Sequence, residues 1–104
     1  MRARLPVAVL LAFAAVAGHA QPFPTVSLSQ LPGPLKSVWN QTKPEMTAPS
    51  RCAAAFDAGD RDRMTLQCSV YVRLGAEGER RAMRYCEEKR QELRIHAPCQ
   101  IVVE

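Results

Sequence analysis

The sequence is poor in the residues and motifs that most catalytic and cofactor sites require. It holds only two histidines among 104 residues, and His96 is the only one beyond the first twenty positions. No serine lies in a Gly-x-Ser-x-Gly setting, and no glycine-rich phosphate-binding loop is present. A hydrolytic site would need a nucleophile with a base, or paired carboxylates in a cleft. We therefore predict that the protein is not an enzyme and needs no cofactor.

The cysteines lack the close spacing of a redox pair or of a zinc site. Four are present, and the segments between consecutive cysteines hold 15, 17 and 12 residues. Thiol–disulfide exchange commonly uses Cys-x-x-Cys, and structural zinc sites use similarly close pairs. An even count in a short exported chain instead predicts two structural disulfides, which a core of this size needs. The four cysteines are Cys52, Cys68, Cys86 and Cys99.

Neither charge nor hydrophobicity is concentrated enough to indicate a nucleic-acid-binding or membrane-spanning protein. The formal charge is +4, and it falls to +2 when Arg2 and Arg4 are removed with the leader described next. A nucleic-acid-binding surface would carry more charge and would interleave it with aromatic residues. After the leader, no apolar stretch approaches the length of about 20 residues that crosses a bilayer. We therefore expect no nucleic-acid partner and no membrane span in the mature chain.

The first twenty residues have the three parts of a secretory signal peptide. Arg2 and Arg4 form a positively charged start, and a short apolar stretch follows from Leu5 to Val16. Gly18-His19-Ala20 then supplies small residues three and one positions before the predicted cut. We predict that residues 1–20 are removed and that the mature protein is periplasmic or secreted.

Residues 21–49 differ from the rest of the chain by their density of proline, with six prolines among serine, threonine and glutamine. Prolines break helices and central strands, so this stretch is predicted to be a largely irregular arm. The exception is Pro34 to Asn40, where Leu35, Val38 and Trp39 fall on one side at helical spacing. This segment is predicted to form a short helix, which either docks Trp39 on the main domain or forms a turn in a mobile linker.

Residues 50–104 are predicted to form one compact domain with the order helix, strand, helix, strand. Ser50 is a good N-cap for an alanine-rich helix over Arg51–Ala58. From Met64 to Leu74, apolar and polar residues alternate strictly, which is typical of a half-buried strand. Glu79–Ile95 has an apolar stripe at helical spacing. A short strand over Cys99–Val103 follows it.

The fold class is therefore predicted to be a small, disulfide-linked α+β domain whose strand–helix–strand unit joins a parallel pair of strands. Two strands make a thin sheet. Either residues 25–28 of the arm add a strand, or the sheet is completed in a homodimer. In this arrangement Cys68 points toward the long helix that carries Cys86. We therefore favour the pairings Cys68–Cys86 and Cys52–Cys99.

An alternative function is the binding of a soft metal, copper or zinc, in the cell envelope. The candidate ligands are Met83, Cys86, His96 and Cys99, because thiolate and thioether sulfur select Cu(I) or Zn. The simpler interpretation is that Met83 packs in the core and that Cys86 is bridged.

Export, two predicted bridges and the lack of a catalytic constellation together favour a small interaction or inhibitor module. Its partner would be another protein of the envelope or of the extracellular space. The candidate contact residues are Arg80, Arg81 and Arg84, in the first half of the long helix, together with Trp39. The glutamates that flank these arginines also allow an ordinary solvated helix face with internal ion pairs.

Overall fold

A computed structural model describes residues 23–60 and 62–104 and confirms a small α+β fold with two disulfide bonds. Four strands form one sheet: β1 over Thr25–Ser27, β2 over Arg51–Phe56, β3 over Met64–Ser69 and β4 over Gln100–Val103. Two helices pack on this sheet, α1 over Gly33–Thr42 and α2 over Gly75–Leu93. Short 3₁₀ turns over Leu28–Gln30 and Lys43–Glu45 flank α1. The predicted signal peptide lies outside the described residues.

The strands lie in the order β1-β4-β2-β3. β4 pairs in parallel with β1 and antiparallel with β2, and β2 pairs antiparallel with β3 along all six of its residues. β3 and β4, which α2 connects, therefore run in the same direction, as expected for a strand–helix–strand unit. They are not the neighbouring pair that was predicted, because β2 lies between them.

The largest correction concerns Arg51–Phe56, which forms the strand β2 and not the predicted helix. Alanine favours helices only as a weak preference, which tertiary packing overrides. β2 has a strand on each edge and a helix on each face, so both of its sides are apolar and no alternation reveals it. Ala54 lies on the face toward α1, and Ala53 and Ala55 lie on the face toward α2.

The α1 face of the sheet contains most of the large apolar side chains. Leu35 and Trp39, one helical turn apart on α1, pack there with Leu66 of β3 and Val26 of β1. Of the two alternatives for the short helix, the structure shows the one in which Trp39 is docked, and of the two for the sheet it shows a strand from the arm, over residues 25–27. The described part of the predicted arm is therefore not irregular. Pro34 is tolerated because it lies in the first turn of α1, where a backbone N–H would have no acceptor within the helix.

The α2 face is covered by a helix that starts four residues before the predicted position. Ala82 and Cys86 of α2 pack against β2 and β4, and Ile95 and Ile101 are buried in the same cluster. The strand before the helix is shorter than predicted, because β3 ends at Ser69.

None of the helices in the two described ranges is long and apolar enough to cross a membrane.

Both predicted disulfide pairings are wrong. Cys52 is bridged to Cys68, directly opposite it in the β2–β3 register, and Cys86 is bridged to Cys99. The reason is the strand conformation of β2. It places Cys52 beside Cys68 on the α1 face, whereas Cys86 approaches the sheet from the α2 face. One bridge therefore lies on each side of the sheet.

Candidate interaction surface

Helix α2 has a polar outer face because its small and apolar residues lie on the side toward the sheet. Gly78, Ala82 and Cys86 recur at intervals of four residues, and all three are buried. Arg80 and Arg84 lie away from that stripe and are exposed. The arginines predicted as contact residues are thus brought together on the outer part of the first half of the helix.

These arginines differ in how far their charges are balanced. The guanidinium of Arg81 lies 2.9 Å from the carboxylate of Glu77, one turn earlier. The guanidinium of Arg84 lies 5.3 Å from the centroid of the Tyr85 ring, a cation–π distance. Among the described residues, neither Arg80 nor Arg84 has a carboxylate within ion-pair distance. These five residues line one shallow depression, which we name the arginine surface.

A loop with two exposed apolar side chains leads into the first turn of α2. Tyr71 is 80% exposed and Leu74 is 67% exposed. Tyr71 also has a φ of 60°, in the left-handed region that is costly for a residue with a Cβ. Strained backbone is concentrated at functional sites, which makes this loop a candidate contact. Sequence reasoning missed this loop, because the alternation that ends at Leu74 placed Leu74 on the buried face of a longer strand.

Trp39 is not available as a contact residue, contrary to the prediction. Its side chain is only 5% exposed and belongs to the core between α1 and the sheet. The Lys43 ammonium lies over the ring, 5.2 Å from its centroid, which is a cation–π distance. The indole therefore stabilises the fold and does not present a face to a partner.

The predicted metal ligands do not form a usable set in the described structure. The disulfide between Cys86 and Cys99 consumes both candidate thiolates. Met83 packs partly buried against the α2 core, whereas the side chain of His96 is 83% exposed. Within the described ranges, no three histidine, cysteine or acidic residues are grouped so that they could hold a metal ion.

The carboxylate of Asp57 holds the loop between α2 and β4. It accepts the backbone N–H of His96 at 2.9 and 3.0 Å and that of Ala97 at 2.7 Å. The N–H of His96 is the main cause that lowers the pKa of Asp57 below its ordinary value. Desolvation of the carboxylate acts in the opposite direction and raises this pKa. The N–H of Ala97 and the His96 imidazole lower the pKa further. This arrangement tethers a loop and offers no open coordination position.

A second concave region, of about 480 Å³, lies where β4, the start of β2 and the end of α1 meet. Two ion pairs occur in its lining. The Lys43 ammonium lies 3.2 Å from the Glu104 carboxylate, and the Arg51 guanidinium lies 4.0 Å from the Glu79 carboxylate. Because these charges are balanced within the cleft, it attracts a charged partner less than the arginine surface does.

Comparison of the chain with protein-family models, with curated proteins and with solved structures found no match.

Proposed function

We propose that the protein is an exported interaction module, which binds an acidic surface of another envelope or extracellular protein through the arginine surface. The observation that carries this proposal is the pair Arg80 and Arg84. Both are exposed, both lie on the same side of one helix, and neither has a carboxylate partner among the described residues. Arginine and tyrosine are the residue types most enriched where interfaces bind tightly.

The disulfide bond that fixes α2 supports a role in binding. The bridge between Cys86 and Cys99 ties the middle of the helix to the residue before β4. A surface that is rigid before it meets its partner loses less conformational entropy on association. Tyr71 and Leu74, in the loop that leads into α2, are exposed and offer apolar contact area that a purely charged patch lacks.

Two disulfide bonds indicate an oxidising compartment outside the cytoplasm. Together with the predicted signal peptide over residues 1–20, they support the proposal that the protein works in the periplasm or in the medium. We propose binding rather than catalysis, and inhibition of an envelope enzyme is one form that such binding can take.

The test compares single charge reversals on the oxidised mature protein. Wild type, Arg84→Glu and Lys36→Glu are immobilised and exposed to envelope extract and culture medium from the host. We expect one partner to be retained by wild type and by Lys36→Glu, which lies on α1, and to bind Arg84→Glu about tenfold more weakly or not at all. The retained partner should also elute as salt is raised, because salt screens exposed charges.

Equal retention by wild type and Arg84→Glu would show that the arginine surface is not the contact. A folded wild-type protein that is monomeric and retains nothing at any salt concentration would count against the interaction module itself.

A further inference from the structure

β3 is the outer strand at one end of the sheet, and no strand of the described ranges pairs with its free edge. Its six residues include no charge and no proline, and they pair with β2 without a bulge. Proteins usually protect a long edge strand with one of these features. The opposite edge strand, β1, has only three residues, and the Ser27 N–H donates to the side chain of Gln30. β3 is therefore the edge where a further strand can add.

The backbone groups that β3 offers follow from its pairing with β2. Just beyond the strand, the Asp57 N–H donates to the Arg63 carbonyl at 3.0 Å, so these two residues form a hydrogen-bonded pair. Such pairs alternate with non-bonded pairs along an antiparallel ladder. By this alternation, Met64, Leu66 and Cys68 direct their N–H and C=O groups away from β2, toward the free edge. These groups are symmetric about Leu66, so a second copy of the same strand fits antiparallel against them.

Helix α2 packs over β2 and β3 and therefore lies beside this edge. At one end of β3, the Ser69 hydroxyl donates to the Gly78 carbonyl at 2.9 Å. At the other end, the guanidinium of Arg63 donates to the Arg94 carbonyl at 3.2 Å. The middle of β3, at Leu66, is consequently level with the middle of the helix, near residue 86.

The exposed charges of α2 are divided about that same level. Arg84 lies two residues before residue 86 and Glu88 lies two after it, while Arg80 and Glu92 lie six residues before and after it. Glu88, like the two arginines, has no ion-pair partner among the described residues. A two-fold axis at this level sets Arg84 of each copy against Glu88 of the other copy. In the second half of α2, Glu87 and Glu92 are already paired with Arg90 and Lys89, so Glu88 is the glutamate left to meet Arg84 of the other copy.

We infer that two copies of this chain associate through antiparallel pairing of their β3 strands, with their α2 helices side by side and antiparallel. Neighbouring strands lie about 4.8 Å apart, so helices centred over β2 and β3 of each copy are separated by about 10 Å, an ordinary distance for packed helices. The inference rests on the proposed function, because it takes the arginine surface to be a protein contact and identifies a second copy as a partner for it.

The first test is a charge swap followed by sedimentation velocity on the oxidised mature chain at low salt. Wild type is expected to be a dimer, and Arg84→Glu or Glu88→Arg alone should raise the dissociation constant about tenfold, because two symmetric pairs become repulsive. The double variant Arg84→Glu/Glu88→Arg should regain the wild-type constant, and Lys36→Glu should leave it unchanged. A monomeric wild type overturns the inference, and so does a double variant that is weaker than both single variants.

The second test addresses the strand edge. Met64→Pro removes one outward N–H at the first residue of the edge strand, where proline is tolerated, and Met64→Ala keeps that N–H. We expect Met64→Pro to be folded by near-ultraviolet circular dichroism but monomeric by sedimentation velocity, and Met64→Ala to remain a dimer. Equal dimerisation of the two folded variants would overturn the pairing through β3. Capture of a different partner through Arg84 by a monomeric wild type would overturn the second-copy inference alone and leave the proposed function standing.

Discussion

The two faces of the sheet are stabilised in different ways. On the α1 face, large apolar side chains such as Leu35, Trp39 and Leu66 fill the space between helix and sheet. On the α2 face the strands present mainly small or polar residues, and the helix itself contributes Gly78 and Ala82 at its contact side. One layer depends on side-chain volume, and the other depends on close backbone approach. The two layers should therefore fail in response to different substitutions.

The close approach of α2 is visible around Gly78. A Cβ at this position would collide with the backbone carbonyl oxygen of Pro49. The buried Ser69 hydroxyl donates to the carbonyl of Gly78 at 2.9 Å and accepts the N–H of Arg51 at 3.2 Å. A polar strand residue thus joins three segments, and this face has little room for larger side chains.

The largest expected effect is the loss of volume on the α1 face. Trp39→Ala removes the largest side chain of this core and should lower the free energy of unfolding by about 3–5 kcal/mol. The measurement is urea unfolding with both disulfides intact, followed by circular dichroism. Val38→Ala is the matched control, because Val38 is the adjacent residue on α1 and is 39% exposed. If the two variants unfold at the same urea concentration, the volume of the Trp39 side chain does not stabilise the α1 layer.

The second prediction adds volume to the α2 face. Gly78→Ala should lower the free energy of unfolding by about 1–3 kcal/mol, because the new methyl group forces apart α2 and the segment before β2. Gly33→Ala at the start of α1 is the control, since a Cβ there meets no atom within 4 Å. The same urea experiment compares them. Equal stability of both variants would show that the α2 layer tolerates expansion and that the contrast between the faces is wrong.

The same contrast explains which parts of the fold the sequence could predict. Strict alternation identified β3, and helical spacing identified α2 and placed Arg80 and Arg84 on its outer face. The strand β2 was missed because a central strand covered on both faces has no alternation, and its three alanines favour a helix locally. The disulfide pairing failed for the same reason. Without β2, nothing placed Cys52 opposite Cys68.

The exposed loop before α2 could not be predicted from local pattern either. The alternation continues unbroken through Tyr71 and Leu74, although β3 ends at Ser69, whose hydroxyl donates to the Gly78 carbonyl of α2 at 2.9 Å. The end of β3 is thus set by tertiary packing and not by the residues of the strand. The apolar part of the proposed contact surface depends on that packing.

A third prediction concerns acid sensitivity in the α2 layer. The pKa of Asp57 is lower in the folded than in the unfolded chain, so its carboxylate stabilises the fold above the unfolded value of about 4. That stabilisation is lost as the pH falls through the folded pKa. Wild type should therefore be more stable than Asp57→Asn at pH 7, and the difference should shrink toward pH 3 in urea unfolding. The exposed Glu45→Gln serves as control, and a difference for Asp57→Asn that stays constant with pH would rule out the carboxylate tether.

The smallest predicted effect is a gain in stability at the end of α2. α2 ends at Leu93 and is capped by Arg94, whose φ of 59° lies in the left-handed region. The N–H of Arg94 donates to the carbonyls of Arg90 and Gln91. Glycine is the usual residue at this position because it has no Cβ to strain the backbone. Arg94→Gly should therefore raise the free energy of unfolding by about 0.5–1 kcal/mol. Arg94→Ala removes the same exposed guanidinium but keeps the Cβ, so it should bring no gain. If alanine stabilises as much as glycine does, the gain comes from the lost charge, and backbone strain at the end of α2 is not the cause.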